Sequence, residues 1–208
     1  MILQADLLCF SYPQGALFSN LSFQLPPGVS LVRGGDGRGK TTLLRLLAGD
    51  VAADSGQLQI KGVHLRGAPA QYRQQVYWVD PRSTAFDQVV PADYFASLHA
   101  HYPLWDATAL PALTEGLSLT EHLHKPMYML STGSKRKVWL AAAFASGAAV
   151  VLLDDPFAAL DKPSIAFVMQ QLRRVAQQQA QACVVAHYAG LADAQGALPL
   201  ACTVELGD

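Results

Sequence analysis

Residues 34–42 read GGDGRGKTT, set between the apolar stretch VSLV (29–32) and the leucine-rich TTLLRLLAG (41–49). The stretch fits G-x-x-x-x-G-K-S/T with Gly34, Gly39, Lys40 and Thr41 in register, and strand, glycine turn, helix is the context in which that pattern cradles phosphate. Glycines let successive N–H groups curl around an anion, a lysine neutralises β- and γ-phosphate charge, and a threonine hydroxyl can ligate Mg²⁺. Gly34, Gly35, Asp36, Gly37, Arg38, Gly39, Lys40, Thr41 and Thr42 are therefore the candidate nucleotide-binding residues, with Thr41 also a candidate metal ligand. A glycine turn with no nucleotide would not need Lys-Thr at that place. The leucines of 41–49 recur at helical spacing, and Gly49 closes the helix.

The rest of the chain must supply a sheet for that loop to sit on. Short alternating stretches such as LLCFSY, LSFQL and QLQIKGVHL, broken by Pro and Gly, predict strands and turns from residue 1 to about 66. From about 88 to 146 the pattern is helical, with loops at HYPLWDATALP and LHKPMYML. A strand from Val150, a helix over about 163–180, a second strand ACVVAH and a short tail follow. Strands alternating with helices predict an α/β fold with a parallel sheet.

Composition narrows the class. The chain has 208 residues, enough for one domain or a closely fused pair with a real core. Formal net charge is −1 and pI about 6.6, which gives no electrostatic case for a nucleic-acid partner. Cys9, Cys183 and Cys202 lie far apart in apolar segments and match neither a disulfide framework nor metal-ligand spacing; they read as buried thiols in a reducing compartment. The start, MILQADLL, lacks the basic and apolar regions of a signal peptide. The uncharged run VWLAAAFASGAAVVLL (138–153) is shorter than the roughly 18–20 residues that span a bilayer, and Gly147 interrupts it. It reads as a buried helix to about Ser146, a turn and a strand.

That strand runs VVLLDDPFAALD, ending in two adjacent carboxylates. A carboxylate closing a buried strand after a phosphate loop is the expected Mg²⁺ partner, and Asp154 holds that place. Asp155 then suits the task of orienting or deprotonating an attacking water, although Asp-Pro also favours turn initiation.

LSTGS (130–134) before a helix, AALD (158–161) after the twin aspartates and His187 ending ACVVAH complete an ordered set with the phosphate loop. The set resembles the nucleotide-binding subunits of ABC (ATP-binding cassette) systems and covers nearly the whole chain. The resemblance implies ATP and Mg²⁺ as cofactors and a P-loop NTPase core with a mostly parallel sheet, an N-terminal antiparallel β subdomain and an inserted helical subdomain. It divides the chain into 1–87 and 147–208, the two parts of the core, and 88–146, the helical part. Residue by residue, it implies that Tyr12 stacks on adenine, that Ser131 and Gly133 reach the γ-phosphate held by an opposite subunit, that Asp161 communicates across the dimer, and that His187 is a catalytic contact to the γ-phosphate beside Asp155. It also implies a head-to-tail dimer with a second nucleotide-binding subunit, identical or paralogous.

The departures matter equally. Asp155 stands where the family has glutamate, Thr132 and Ser134 replace a glycine and a glutamine of LSGGQ, and VYWVDPRS puts Asp80 and Pro81 where a glutamine follows a strand. Gln88 lies too far along to fill that gap. Slow hydrolysis with retained nucleotide binding is the expectation. Lys135, Arg136 and Lys137 follow LSTGS in a first helical turn, where cations meet the positive end of the dipole; a nearby triphosphate or a solvated edge would account for them. HYPLWDATAL and MLSTGSKRKV look like export ATPases of the antibiotic- and stress-response class, and DPFAALD is similar to the haem-exporter ATPase of cytochrome c maturation. An exporter subunit of this kind would lie at the cytoplasmic face of the membrane, gripped by a separately encoded transmembrane subunit. Soluble repair or translation ATPases, whose cassettes are split by coiled coils or doubled, and a weak cassette paired with an active paralogue, are the alternatives.

Overall fold

Strands made only of apolar residues have no face to offer water, so VVLL and ACVV require cover on both sides. A computed structural model of the protein, describing residues 1–207, shows that cover. In chain order the elements are β1 (Leu3–Tyr12), β2 (Gly15–Leu25), β3 (Gly28–Arg33), α1 (Lys40–Ala48), β4 (Ser55–Ile60), β5 (Val63–His64), α2 (Pro69–Arg73), β6 (Val76–Tyr77), α3 (Pro91–His101), α4 (Leu110–Gly116), α5 (Thr132–Ala145), β7 (Val150–Asp154), α6 (Lys162–Gln178), β8 (Ala182–His187), β9 (Ala192–Asp193), β10 (Gly196–Ala197) and β11 (Cys202–Glu205). A parallel sheet has the order β11-β3-β8-β7-β6, an antiparallel sheet the order β2-β1-β4-β5, and β9 and β10 form a small hairpin. The α/β class with a parallel and an N-terminal antiparallel sheet is thus as the sequence predicts. The supposed tail is not only a tail, because β11 pairs with β3 from Cys202–Ser30 to Glu205–Arg33.

Alternate residues of a strand face opposite sides of a sheet, and here the two sides feed two apolar clusters. Val150 and Leu152 of β7, with Ala182, Val184 and Ala186 of β8, pack with Leu43, Leu44, Leu46 and Leu47 of α1 and with the antiparallel sheet. Val151 and Leu153, with Cys183 and Val185, pack with α3, α4, α5 and α6. Helix α1 is therefore sandwiched between the two sheets, its N-terminus directed by β3 and the loop that follows.

Helices α3 to α5 lie in sequence between β6 and β7, and tyrosine hydroxyls tie them back to the parallel sheet. Tyr77 donates to the carbonyl of Trp139 at 2.9 Å and lies 3.2 Å from the Tyr94 hydroxyl, while Tyr102 donates to the carbonyl of Val76 at 2.8 Å. Burial pushes the Tyr94 phenol up to about 12 and those of Tyr77 and Tyr102 upward as well, so all three stay neutral donors. Tyr77→Phe keeps the ring and strips the Trp139 carbonyl of its donor. It should cost about 1–3 kcal/mol, read as a lower midpoint in urea unfolding with an unchanged slope.

Candidate functional site

In open α/β sheets, ligands gather outside the carboxyl ends of the strands. Here β3, β8 and β7 are neighbours, with Arg33 opposite His187 and Asp154 opposite Ala186. The loop after β3, the carboxylates after β7 and the histidine ending β8 must therefore converge on one edge. They do, around a cavity of about 390 Å³ lined by Asp36, Gly37, Gly39, Lys40, Thr41 and Thr42 of the loop and α1, by Pro81 and Arg82, by Arg136, and by Asp154, Asp155, His187 and Tyr188.

The loop is shaped by contacts on both flanks. Gly39 has φ +90°, and a Cβ there would lie 2.8 Å from Leu17 and 2.9 Å from Phe18, so the turn into α1 can press against β2 only as glycine. The Gly35 amide donates to the carbonyl of Gly207 at 3.1 Å, just past β11. Lys40 Nζ donates to the carbonyls of Gly34 and Gly35 at 2.7 and 2.8 Å, with the exposed Asp36 carboxylate at 4.0 Å. Arg38 belongs to the same loop. The Thr42 hydroxyl, largely buried, lies 2.9 Å from that of Tyr12, whose ring meets Phe10 edge-on at 5.0 Å. Tyr12 is thereby held beside the mouth of the site, the residue 43% exposed.

Thr41 Oγ1 donates to Asp154 Oδ2 at 2.6 Å. Burial raises the Asp154 pKa, opposed by the Thr41 hydrogen bond and by the charges of Arg82 and Arg136. Asp155 adopts φ +44°, an uncommon conformation for a residue with a Cβ, and its amide donates to the carbonyl of Ala186 at 2.9 Å. Its Oδ1 lies 3.1 Å from His187 Nδ1. Asp155, expected to serve the attacking water, and His187, expected to contact the γ-phosphate, thus form a carboxylate–imidazole pair at the cavity wall.

Ser131, Gly133 and Asp161 lie outside this cavity. Ser131 caps α5, accepting from the Ser134 amide at 3.1 Å, its hydroxyl 3.0 Å from that of Ser134. A Cβ on Gly133 would stand 2.3 Å from the carbonyl oxygen of Ala159, so the helix and the segment after the aspartates touch through this glycine. Asp161 caps α6 through the Ser164 amide at 2.8 Å, and Lys137 Nζ, 2.6 Å from its Oδ2, is the first cause holding its carboxyl well below the usual range.

The three cations after LSTGS do not form a solvated edge. Lys135 pairs with Asp87 at 2.5 Å, Lys137 with Asp161, and Arg136 with main-chain carbonyls at the end of β7; the acceptors come from segments distant in sequence, which helical position alone could not reveal. Sequence reasoning also missed Arg82 and Tyr188 in the cavity wall. Arg82 follows directly on the Asp80-Pro81 step, where Asp80 accepts from the Arg82 amide at 2.9 Å. Its place two residues past the expected glutamine was the available signal.

The residues present fit a Mg-nucleotide. A volume of about 390 Å³ suits a small-molecule site. The first amides of a helix have no intrahelical acceptors and favour anions; those of α1 belong to wall residues, with Lys40 beside them. The Thr41 hydroxyl and Asp154 carboxylate, already in contact, are the oxygen donors that Mg²⁺ takes alongside phosphate.

A family model described as "ABC transporter" matches residues 18–158. Similar curated proteins include the cytochrome c biogenesis ATP-binding export protein CcmA of Pseudomonas savastanoi pv. phaseolicola, 35% identical over 166 residues, 79% of this chain and 78% of that protein. CcmA 2 of Salmonella paratyphi A is 33% identical over 186 residues, 89% of this chain and 87% of its own. Among solved structures, one described as an ATP-binding subunit of an ABC transporter aligns with TM-score 0.79 at 22% identity, covering 90% of this chain and 80% of its own. A putative ABC transporter ATP-binding protein of Pyrococcus furiosus aligns with TM-score 0.78 at 19% identity, covering 99% and 98%; at such identities both support the fold alone. The family match spans the phosphate loop and the twin aspartates whose contacts are described above, and the chain belongs to the ABC transporter family, as an ATP-binding subunit of the ATP-hydrolysing kind.

Proposed function

We propose that this subunit drives export by binding Mg-ATP at a head-to-tail dimer interface and hydrolysing it slowly, at the cytoplasmic face of a membrane, under a separately encoded transmembrane subunit. The observation that carries the reading is the Thr41–Asp154 hydrogen bond, flanked by Lys40 on one side and by the Asp155–His187 pair on the other. ATP with Mg²⁺ supplies the phosphoryl group whose transfer to water releases the driving energy. Lys40 and the amides of the loop bind the phosphates, Thr41 and Asp154 hold the metal, and Tyr12 offers an aromatic face at the mouth. Asp155 takes a proton from the attacking water, with His187 orienting the carboxylate. Ser131 and Gly133 at the start of α5 serve the nucleotide of the opposite subunit, and Asp161 lies on the same dimer face. The relatives' names support an export step of cytochrome c biogenesis as the task.

A groove of about 480 Å³ between Asp80 and Ser83 on one side and Tyr94, Ser97, Leu98 and His101 of α3 on the other is where a cytoplasmic helix of the membrane subunit would seat. No helix among the described residues is long and apolar enough to cross a membrane, so attachment depends on that partner. Co-expressed with its separately encoded transmembrane subunit, the chain should sediment with membranes; recovery entirely in the soluble fraction would overturn the transport reading.

Lys40→Ala removes the cation nearest the phosphates and also releases the carbonyls of Gly34 and Gly35. ATP-dependent dimerisation, followed by size-exclusion chromatography with light scattering, should be lost. Dimerisation at the parent's ATP concentration would refute the phosphate role of the loop.

Asp155 is one methylene shorter than glutamate, about 1.5 Å less reach, and a misplacement of about 1 Å can cost on the order of a hundredfold in rate. Asp155→Glu should therefore raise turnover on the order of tenfold or more with ATP affinity nearly unchanged, and Asp155→Asn should lower it. A second reading, a pocket reshaped around the shorter acid, draws on the left-handed backbone at Asp155, and under it glutamate would crowd the site and slow it. Steady-state hydrolysis by the three proteins with their partner subunits separates these readings. Equal rates for Asp, Glu and Asn would remove Asp155 from the chemistry and favour a weak cassette beside an active paralogue.

A further inference from the structure

Of the three consecutive cations on α5, Lys135 and Lys137 reach carboxylates, Asp87 and Asp161. Arg136, between them, turns inward. Its guanidinium Nη1 donates to the main-chain carbonyl of Asp155 and lies 3.5 Å from that of Asp154. Its Nε is buried without an acceptor, and the side chain contributes to the wall shared by Lys40, Asp154, Asp155 and His187. A charged group is thus spent on two neutral carbonyls at a place where the chain turns left-handed, Asp155 at φ +44°. The amide of the same residue is fixed to Ala186 at 2.9 Å, and its carbonyl also accepts from the Ala158 amide at 3.2 Å, so both polar main-chain groups of Asp155 are held, the amide by β8 and the carbonyl by α5 together with the turn that follows.

We propose that Arg136 is a positioning residue for Asp155. By gripping the Asp154 and Asp155 carbonyls it keeps Asp155 in the left-handed conformation that sends its carboxylate to His187 and the cavity. The inference rests on the reading of Asp155 as the base. It also gives α5 two duties: Ser131 at its start faces a second subunit under the dimer reading, while Arg136, one and a half turns on, sets the acid of its own chain. Both contacts come from Nη1, whose N–H groups are fixed in the guanidinium plane, whereas a lysine ammonium supplies only a point charge on a flexible stem.

Arg136→Met and Arg136→Lys would be compared in the complex with the partner subunits. Arg136→Met should lower kcat on the order of tenfold or more with KM for ATP within about twofold, and Arg136→Lys should recover part of the loss. In single turnover, Arg136→Met added to Asp155→Asn should cost less than about twofold further, since residues acting through one another are not additive. In the nucleotide-free chain, hydrogen exchange at the amides of Asp155 and Ala158 should quicken on the order of tenfold in Arg136→Met while that of Leu152 in β7 is unchanged. An equal loss in both backgrounds, a raised KM with unchanged kcat, or unaltered exchange at Asp155 would overturn the proposal. If Asp155→Asn alone kept the parent's rate, the base assignment would fail, and the exchange measurement would still decide whether Arg136 holds this backbone.

Discussion

Asp154 is a carboxylate carried to the rim of a core that otherwise takes almost no charge, and most of the local architecture answers that burden. Burial raises its pKa, so the surroundings oppose the ionised form that a cation requires. Thr41 offsets part of this with a hydrogen bond of 2.6 Å, and Arg82 and Arg136 add positive potential. Because Thr41 lies in the first turn of α1 and Asp154 ends β7, the same bond fixes the helix to the sheet. A cation binding there would relieve the cost, so nucleotide with metal should tighten the core as well as fill the site.

Around that centre, elements distant in sequence meet through close backbone approaches as well as through side-chain pairs. Gly39 lets α1 approach β2, Gly133 lets α5 touch Ala159, and Arg136 grips carbonyls after β7. Such contacts tolerate few substitutions, since any Cβ at these glycines meets neighbouring atoms at once. They also mean that a shift of α5 is transmitted directly to the segment carrying the acid.

Much of this was legible in the chain. The phosphate loop, the Asp154 strand and the His187 strand announce themselves because glycine spacing and unbroken β-branched runs are local signals. The topology that brings them together follows from the same runs, which demand cover on both faces. What stayed hidden depends on partners. CTVE (202–205) is too short to declare itself a strand until β3 lies alongside, and PAQYR (69–73) makes only about one helical turn. The cations after LSTGS read as a solvent edge or a phosphate contact because Asp87, Asp161 and the Asp155 carbonyl are invisible from within one helix. The pairing of Asp155 with His187 needed the register of β7 against β8.

The strand β11 carries a consequence for assembly. It lies on the outer side of β3, and the residues just past it hold the loop, Gly207 accepting from the Gly35 amide and Leu206 donating to the Arg33 carbonyl. A loop read near the start of the sequence is thus braced by a segment made some 170 residues later, a separation that ranks among the slowest kinds of contact to form. On a ribosome, the phosphate cradle would acquire its final shape only after that distant segment had emerged.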